Sequence, residues 1–259
     1  MKISTTVVFH NELEFLPQWY ESARTYSDEI IMASHAATDG SLEWAKEIQK
    51  LNELPIKILE FPKDTIFQHG FSYMKNKCTD EATGDWIISL DPDEEMGITK
   101  EEILPYMQNT FCVSTVTMHV ANKEPHWNLN NKEQIKKEAK WIRQRHYRIF
   151  KNISEIRWNG LIHEELRGGE QYFISSIARN SNFTMWHYGC MAKNRVSIEK
   201  EGIYAELLCR IVDNPELRYG TNKWWWEVYY EEHKEELRQK REEYLNYRAN
   251  NEKIININM

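Results

Sequence analysis

Two carboxylates one residue apart, Asp91-Pro92-Asp93, close a hydrophobic run from Trp86 to Leu90 in the stretch GDWIISLDPDEEM, residues 84–96. Glu94 and Glu95 extend the charge. Like charges packed this closely repel unless solvent or a cation screens them. At a strand end such a pair can hold a hard divalent ion, Mg²⁺ or Mn²⁺, directly or through water. An ion there stabilises the negative charge that builds on a leaving diphosphate. Two other readings compete. One is a solvated acidic turn, the usual fate of a charge cluster. The other is an EF-hand loop: residues 91–102 begin D-x-D-x-E and end in Glu102, but Gly97 stands one place late and a strand, not a helix, leads in.

The elements that must position these acids can be read from periodicity. Short β-branched runs at Ile3–Phe9, Glu29–Ala33, Ile56–Phe61 and Asp85–Leu90 predict strands. Between them, residues 12–25, a segment from Asp39 to about Leu51, and residues 69–82 predict helices. Strand and helix alternating at this spacing imply βαβ units and a mostly parallel sheet. In such sheets ligands lie beyond the carboxyl ends of the strands. Three polar clusters fall there: His10-Asn11-Glu12, Ser34 to Ser41, and Asp91 to Glu95. Residues 141–150 and 156–163 predict further strands, and Gly168-Gly169 a turn. Helices are expected over about 197–213 and 222–249, with the tail Ile254–Met259 a short strand or disordered.

Composition narrows the class. The chain has 259 residues, a net charge of −7 and a 41% hydrophobic fraction, with 10 Trp and 13 Tyr to fill a core. That charge disfavours a general nucleic-acid binder, although Lys132 to Arg148 is locally basic. The four cysteines form no CxxC pair, which suits reduced thiols in a cytosolic protein. The opening MKISTTVVFHNE meets polar residues too early for a secretory signal, so a cytoplasmic chain without a transmembrane segment is expected.

The motif order then carries a resemblance. TTVVFHNELEFLPQWYES, DEIIMASHAATDGSLEWAKE, FSYMKNK, GDWIISLDPDEEM, YRIFKN, WNGLIHEEL and MWHYG follow one another over residues 3 to about 215. Together they resemble a family 2 glycosyltransferase of GT-A fold, in the bacterial and phage branch that includes lipopolysaccharide core and peptide transferases. The resemblance implies an α/β, Rossmann-like, mostly parallel central sheet flanked by helices, with a helical C-terminal extension. It implies a catalytic domain over 1–195, with a nucleotide-sugar half at 1–122 and an acceptor half at 123–195, and an extension over 196–259.

The resemblance also implies site residues. Thr5, Val7, Asn11, Glu12, Ser34, Asp39, Lys75, Asn76 and Asp91 are expected to contact a nucleotide-sugar donor. Ser34 stands where the family usually has a base-reading Asp, and Lys75 where it has Arg. A UDP-sugar is the expected donor class. Asp91, Asp93 and His187 are expected to hold Mn²⁺ or Mg²⁺. An inverting transfer needs a base on the acceptor hydroxyl; Glu164 is the first choice and Glu165 the next, with His163 either orienting the base or contacting donor phosphate. Plainer roles stand beside these: Asp39 as a helix N-cap, Lys75 as a solvated helix residue, and a Glu paired with Arg148 or Arg157. The acceptor is a saccharide or a hydroxylated DNA base. Trp224-Trp225-Trp226 suit ordinary packing first, and otherwise an acceptor platform or a dimer face, with a homo-oligomer through the C-terminal helices as an alternative. The alternative function is a sugar- or nucleic-acid-binding protein on the same fold without turnover.

Overall fold

The computed structural model describes residues 1–51, 54–168, 178–191, 198–217 and 228–257. Trp224–Trp226 and Gly169 lie outside these. The described chain forms two compact units. The larger unit comprises residues 1–63, 74–157 and 166–193, and the smaller comprises 64–73, 158–165 and 194–259.

The larger unit is built on an eight-stranded sheet. Its strands are β1 (Ile3–Phe9), β2 (Glu29–His35), β3 (Ile56–Phe61), β4 (Trp86–Ser89), β5 (Glu94–Met96), β6 (Cys112–Val120), β7 (Trp141–Lys151) and β10 (Ala178–His187). Their order is β3-β2-β1-β4-β7-β6-β10-β5. β1 to β4 pair in parallel. β7 enters antiparallel between β4 and β6, and β6 pairs in parallel with β10. β8 (Ile156–Asn159) and β9 (Glu165–Gly168) form a separate two-stranded sheet. This is the expected α/β arrangement. β1 and β2 are buried along almost their whole length, as strands covered on both faces must be.

Helices α1 (Leu16–Ala23), α2 (Ser41–Leu51), α3 (Thr65–His69), α4 (Phe71–Glu81), α5 (Lys100–Met107) and α6 (Lys132–Glu138) connect the strands. α1 buries Leu16, Trp19, Tyr20 and Ala23, the stripe its periodicity predicts. It begins at residue 16 rather than 12 because the residues before it bond to the next loop: the Glu12 amide donates to Ser41 Oγ and the Leu13 amide to Asp39. The helix expected over about 69–82 is α4, which starts at Phe71 because Gly70 separates it from α3. The Gly70 φ is +77°, and a Cβ there would lie 2.4 Å from the Leu161 Cα. The EF-hand reading fails at Glu102, whose carboxylate accepts from the Thr99 amide at 2.7 Å in a capping box that starts α5.

The smaller unit carries α7 (Ile198–Asp213) and α8 (Tyr230–Ile257). The helices cross closely, since a Cβ on Gly202 would lie 2.2 Å from Tyr244 Cβ. Arg241 Nε meets Glu206 at 2.6 Å. α8 continues to Ile257, so residues 254–257 are helical and not the strand or disordered tail expected. Among the described residues no helix is long and apolar enough to cross a membrane.

Glu29 ties the first strands together. Its carboxylate accepts from Ser4 Oγ at 2.5 Å, Thr83 Oγ1 at 2.7 Å and Lys2 Nζ at 2.9 Å. Burial alone would raise its pKa, but these donors bring it down to about 2. A depressed carboxylate contributes stability above its unfolded pKa of about 4.5, and loses it as pH falls towards the folded value. Glu29→Gln is predicted to lower unfolding stability at pH 7 by about 2 kcal/mol. It should also flatten the acid limb between about pH 4.5 and 2. Urea titrations of both proteins across that range provide the check.

Candidate active site

The acidic turn lies at the carboxyl end of β4, where the Leu90 amide still donates to Thr6 at 3.1 Å. Cations surround it. Asp91 meets Lys75 Nζ at 2.9 Å through Oδ1 and Arg148 Nη2 at 2.8 Å through Oδ2. The same Arg148 nitrogen reaches Glu94 Oε1 at 2.6 Å, and Glu94 Oε2 accepts from the Asp91 amide at 2.9 Å. Lys75 is only 4% exposed, so it is a buried ion-pair partner and not a solvated helix residue. Glu95 is ion-paired to Lys132, with Lys136 at 3.5 Å, and accepts from Tyr188 Oη at 2.9 Å. The cluster is therefore neither a free solvated turn nor a set of unscreened charges.

Burial alone would raise the Asp91 carboxyl, but Arg148 and Lys75 outweigh it and hold the group well below the usual carboxylate range. Burial pushes Glu94 up, opposed by Arg148 and reinforced by the charge of Asp91. Asp91 is thus ionised and keeps a third of its side chain exposed.

Asp93 faces a different partner. β5 pairs antiparallel with β10, setting His187 opposite Glu94. The Tyr188 amide then donates to the Asp93 carbonyl at 2.9 Å. His187 Nε2 comes to 3.5 Å from Asp93 Oδ2. Gly189 completes the approach: a Cβ there would lie 2.7 Å from both Asp93 Oδ2 and His187 Cε1. The absent side chain leaves a small cradle lined by a carboxylate oxygen and an imidazole nitrogen. Those are suitable donors for Mn²⁺ or Mg²⁺, with phosphate oxygens to complete the shell. Among the described residues no group of three or more His, Cys, Asp or Glu is placed to hold a metal by itself.

Behind His187 stand two further histidines. His119 on β6 lies opposite His187, and its ring is 5.4 Å from that of His146 on β7. Burial, with His187 and Arg148 next, lowers His119 to about 4; burial and then Arg148 lower His146 to about 3. Both are neutral at pH 7. Neither they nor Arg148 were among the site residues expected. They come from strands with no chemical motif, although Arg148 does stand inside YRIFKN.

The loops after β1 and β2 converge as the topology predicts. Asn11 Oδ1 accepts from the Thr38 amide at 2.7 Å, and Asp39 accepts from the amides of Leu13 at 3.0 Å and Ser41 at 2.9 Å. Asp39 therefore opens α2 and clasps the neighbouring loop. Glu12 and Asn76 are half-buried. Ser34 is buried and its hydroxyl has no partner among the described residues. Thr5 and Val7 lie on β1. Their side chains are 0% and 1% exposed, with the Thr5 hydroxyl 2.6 Å from that of Ser27, so they pack the sheet.

Trp158–Glu165 belongs to the smaller unit. There His163, at φ +53°, meets Tyr204 Oη through Nε2 at 2.7 Å. Burial, against the charge of Glu164, lowers its pKa to about 4. Glu164 and Glu165 are half-buried. The basic segment is largely used within the fold. Lys132 and Lys136 face Glu95, Arg145 donates to Ser114 Oγ at 2.7 Å, and Arg148 holds the acidic turn.

The family model described as Glycosyl transferase family 2 matches residues 4–166. The chain belongs to this family. It is therefore a glycosyltransferase. The transferase is also similar, at 30% identity over 95 residues, to the TPR repeat-containing protein Synpcc7942_0270 of Synechococcus elongatus; the match covers 37% of this chain and 21% of that protein. The chain thus spans about a fifth of that curated relative's length. Among solved structures, S. aureus TarS 1–349 aligns over 90% of this chain and 77% of its own, at 14% identity and a TM-score of 0.48. TarS 1–349 in complex with UDP-GlcNAc aligns over 82% and 67%, at 14% identity and a TM-score of 0.46.

Removing Arg148 leaves two carboxylates facing each other without their shared cation. Arg148→Met is predicted to cost about 3 kcal/mol of unfolding free energy. Adding Asp91→Asn and Glu94→Gln to that variant should recover part of the loss, because no uncompensated charge remains. Denaturant titration of the single and triple variants measures both effects.

Proposed function

We propose that this glycosyltransferase moves a sugar from a nucleoside-diphosphate donor to an acceptor hydroxyl by a single in-line displacement that inverts the anomeric carbon. One observation carries the reading. Asp93 and His187 converge across the Gly189 cradle, while Asp91 beside them is kept ionised by Lys75 and Arg148. Asp93 and His187 are the residues to hold Mn²⁺ or Mg²⁺. When bound, that ion supplies positive charge for a leaving diphosphate.

The chain's own residues divide the remaining work. The exposed oxygen surface of Asp91 accepts from a donor hydroxyl, and its ion pairs fix its orientation. The clasped loops at Asn11–Leu13 and Thr38–Ser41 shape the nucleotide end. Glu164 takes the acceptor proton. Burial keeps His163 neutral, and its bond to Tyr204 fixes the turn that carries Glu164.

A ligand that binds only the folded chain raises its melting temperature by mass action. Thermal melts against UDP, GDP, CDP, ADP and dTDP, each with and without Mn²⁺, should show a Mn²⁺-dependent rise with one nucleotide. Asp93→Asn should abolish that rise and reduce turnover of the matching sugar nucleotide by about 100-fold or more. A nucleotide-dependent rise that survives Asp93→Asn unchanged would contradict the assignment.

A further inference from the structure

We propose that the C-terminal helices belong to the catalytic machinery: Tyr204 of α7 is a positioning residue that holds His163 in a left-handed conformation and so aims Glu164. This rests on the reading of Glu164 as the base. His163 has φ +53°, a region that residues other than glycine enter seldom. Such a conformation persists only where the surroundings over-determine it. The turn is held on its leading side by backbone. The Leu161 carbonyl accepts from the Phe71 amide at 2.8 Å, and the Leu161 Cα passes too close to Gly70 for any Cβ between them. Ile162 follows with its side chain buried. At His163 the hold passes through the ring. Its Nε2 lies 2.7 Å from Tyr204 Oη, and the two rings meet edge to face at 5.4 Å and 86°. A phenol both donates and accepts, so this bond forms with either tautomer of the imidazole.

Backbone geometry then couples His163 to Glu164. The φ of His163 sets the direction in which the chain leaves the turn, and a change to the extended region would carry the Glu164 carboxylate elsewhere. Tyr204 is itself fixed from both sides along α7. Gly202, two residues before it, admits the Tyr244 ring of α8 at close approach. Glu206, two residues after it, is ion-paired with Arg241 of α8 at 2.6 Å. α8 thus seats α7, α7 presents the Tyr204 hydroxyl, and the hydroxyl holds the turn that carries the base. The extension acts on the reaction through that hydroxyl.

The test follows release of nucleoside diphosphate by the full chain, with water as acceptor and the sugar nucleotide of the diphosphate that stabilises the protein as donor. In this hydrolysis the water oxygen bonds to the anomeric carbon, and the bond from that carbon to the diphosphate oxygen breaks with its electron pair leaving on the diphosphate. Glu164 takes the water proton. Tyr204→Phe keeps the ring and removes the hydroxyl. It should lower kcat by about 10- to 100-fold, with the donor KM and the nucleotide-induced rise in melting temperature unchanged. A His163→Gly background has no ring to hold, and glycine enters the left-handed region freely. There Tyr204→Phe should change nothing further. His163→Phe removes the same bond from the other side, and replaces Tyr204→Phe if the latter loses its melting transition. Wild-type kcat without the hydroxyl, a rise in donor KM in place of the fall in kcat, or the same loss in the His163→Gly background would overturn the role of Tyr204 while leaving Glu164 as the base. If wild type hydrolyses the donor no faster than Glu164→Gln, the base assignment itself fails, and the role of Tyr204 with it.

Discussion

Neutralisation of the strand-end carboxylates by Lys75 and Arg148 is the constraint on which the rest of this site depends. A carboxylate taken out of water loses several kcal/mol of hydration unless opposite charge and hydrogen bonds replace it. Asp91 and Glu94 are compensated from two directions: by a lysine on the helix before β4 and by an arginine on β7. Without them the turn would have to swing into solvent, and β5 would lose the start of its pairing with β10. With them Asp91 stays charged and fixed, and the next carboxylate, Asp93, is free to face His187.

The sheet order follows the same need. β7 runs antiparallel between β4 and β6, so its residues approach the end of β4 from the opposite direction. Arg148 thereby reaches Asp91 across 57 positions of sequence. β5 is only three residues long, but its pairing with β10 brings the Asp93 segment to His187 and Gly189. A short edge strand thus positions the cradle, and β6 supplies His119 behind it. The Asp93–His187 approach is held by strand register more than by loop conformation.

Much of this was legible in the sequence. β-branched runs and helical periodicity gave the parallel strands and their crossovers, and the polar clusters after β1 and β2 did converge. Asp93 and His187 were paired in advance by their motifs. Arg148 was visible only as one charge in a basic segment, because no local pattern reports which strand will insert antiparallel beside β4. His119 carried no signal, since a lone histidine on a strand looks the same whether it packs or stands behind a site. The short helix before Gly70 carried no signal of its own, and the φ of +77° and the approach of Leu161 that require the glycine there are tertiary features.

The central claim is that Asp91 is reserved by its two cations while Asp93 and His187 take the metal. Crystals grown with Mn²⁺ and the nucleoside diphosphate that stabilises the protein, measured for anomalous scattering at the manganese edge, test it most directly. The account predicts a single strong peak between Asp93 and His187, with Lys75 and Arg148 still on Asp91. A peak on Asp91 with Arg148 displaced, or manganese held away from both Asp93 and His187, would contradict it.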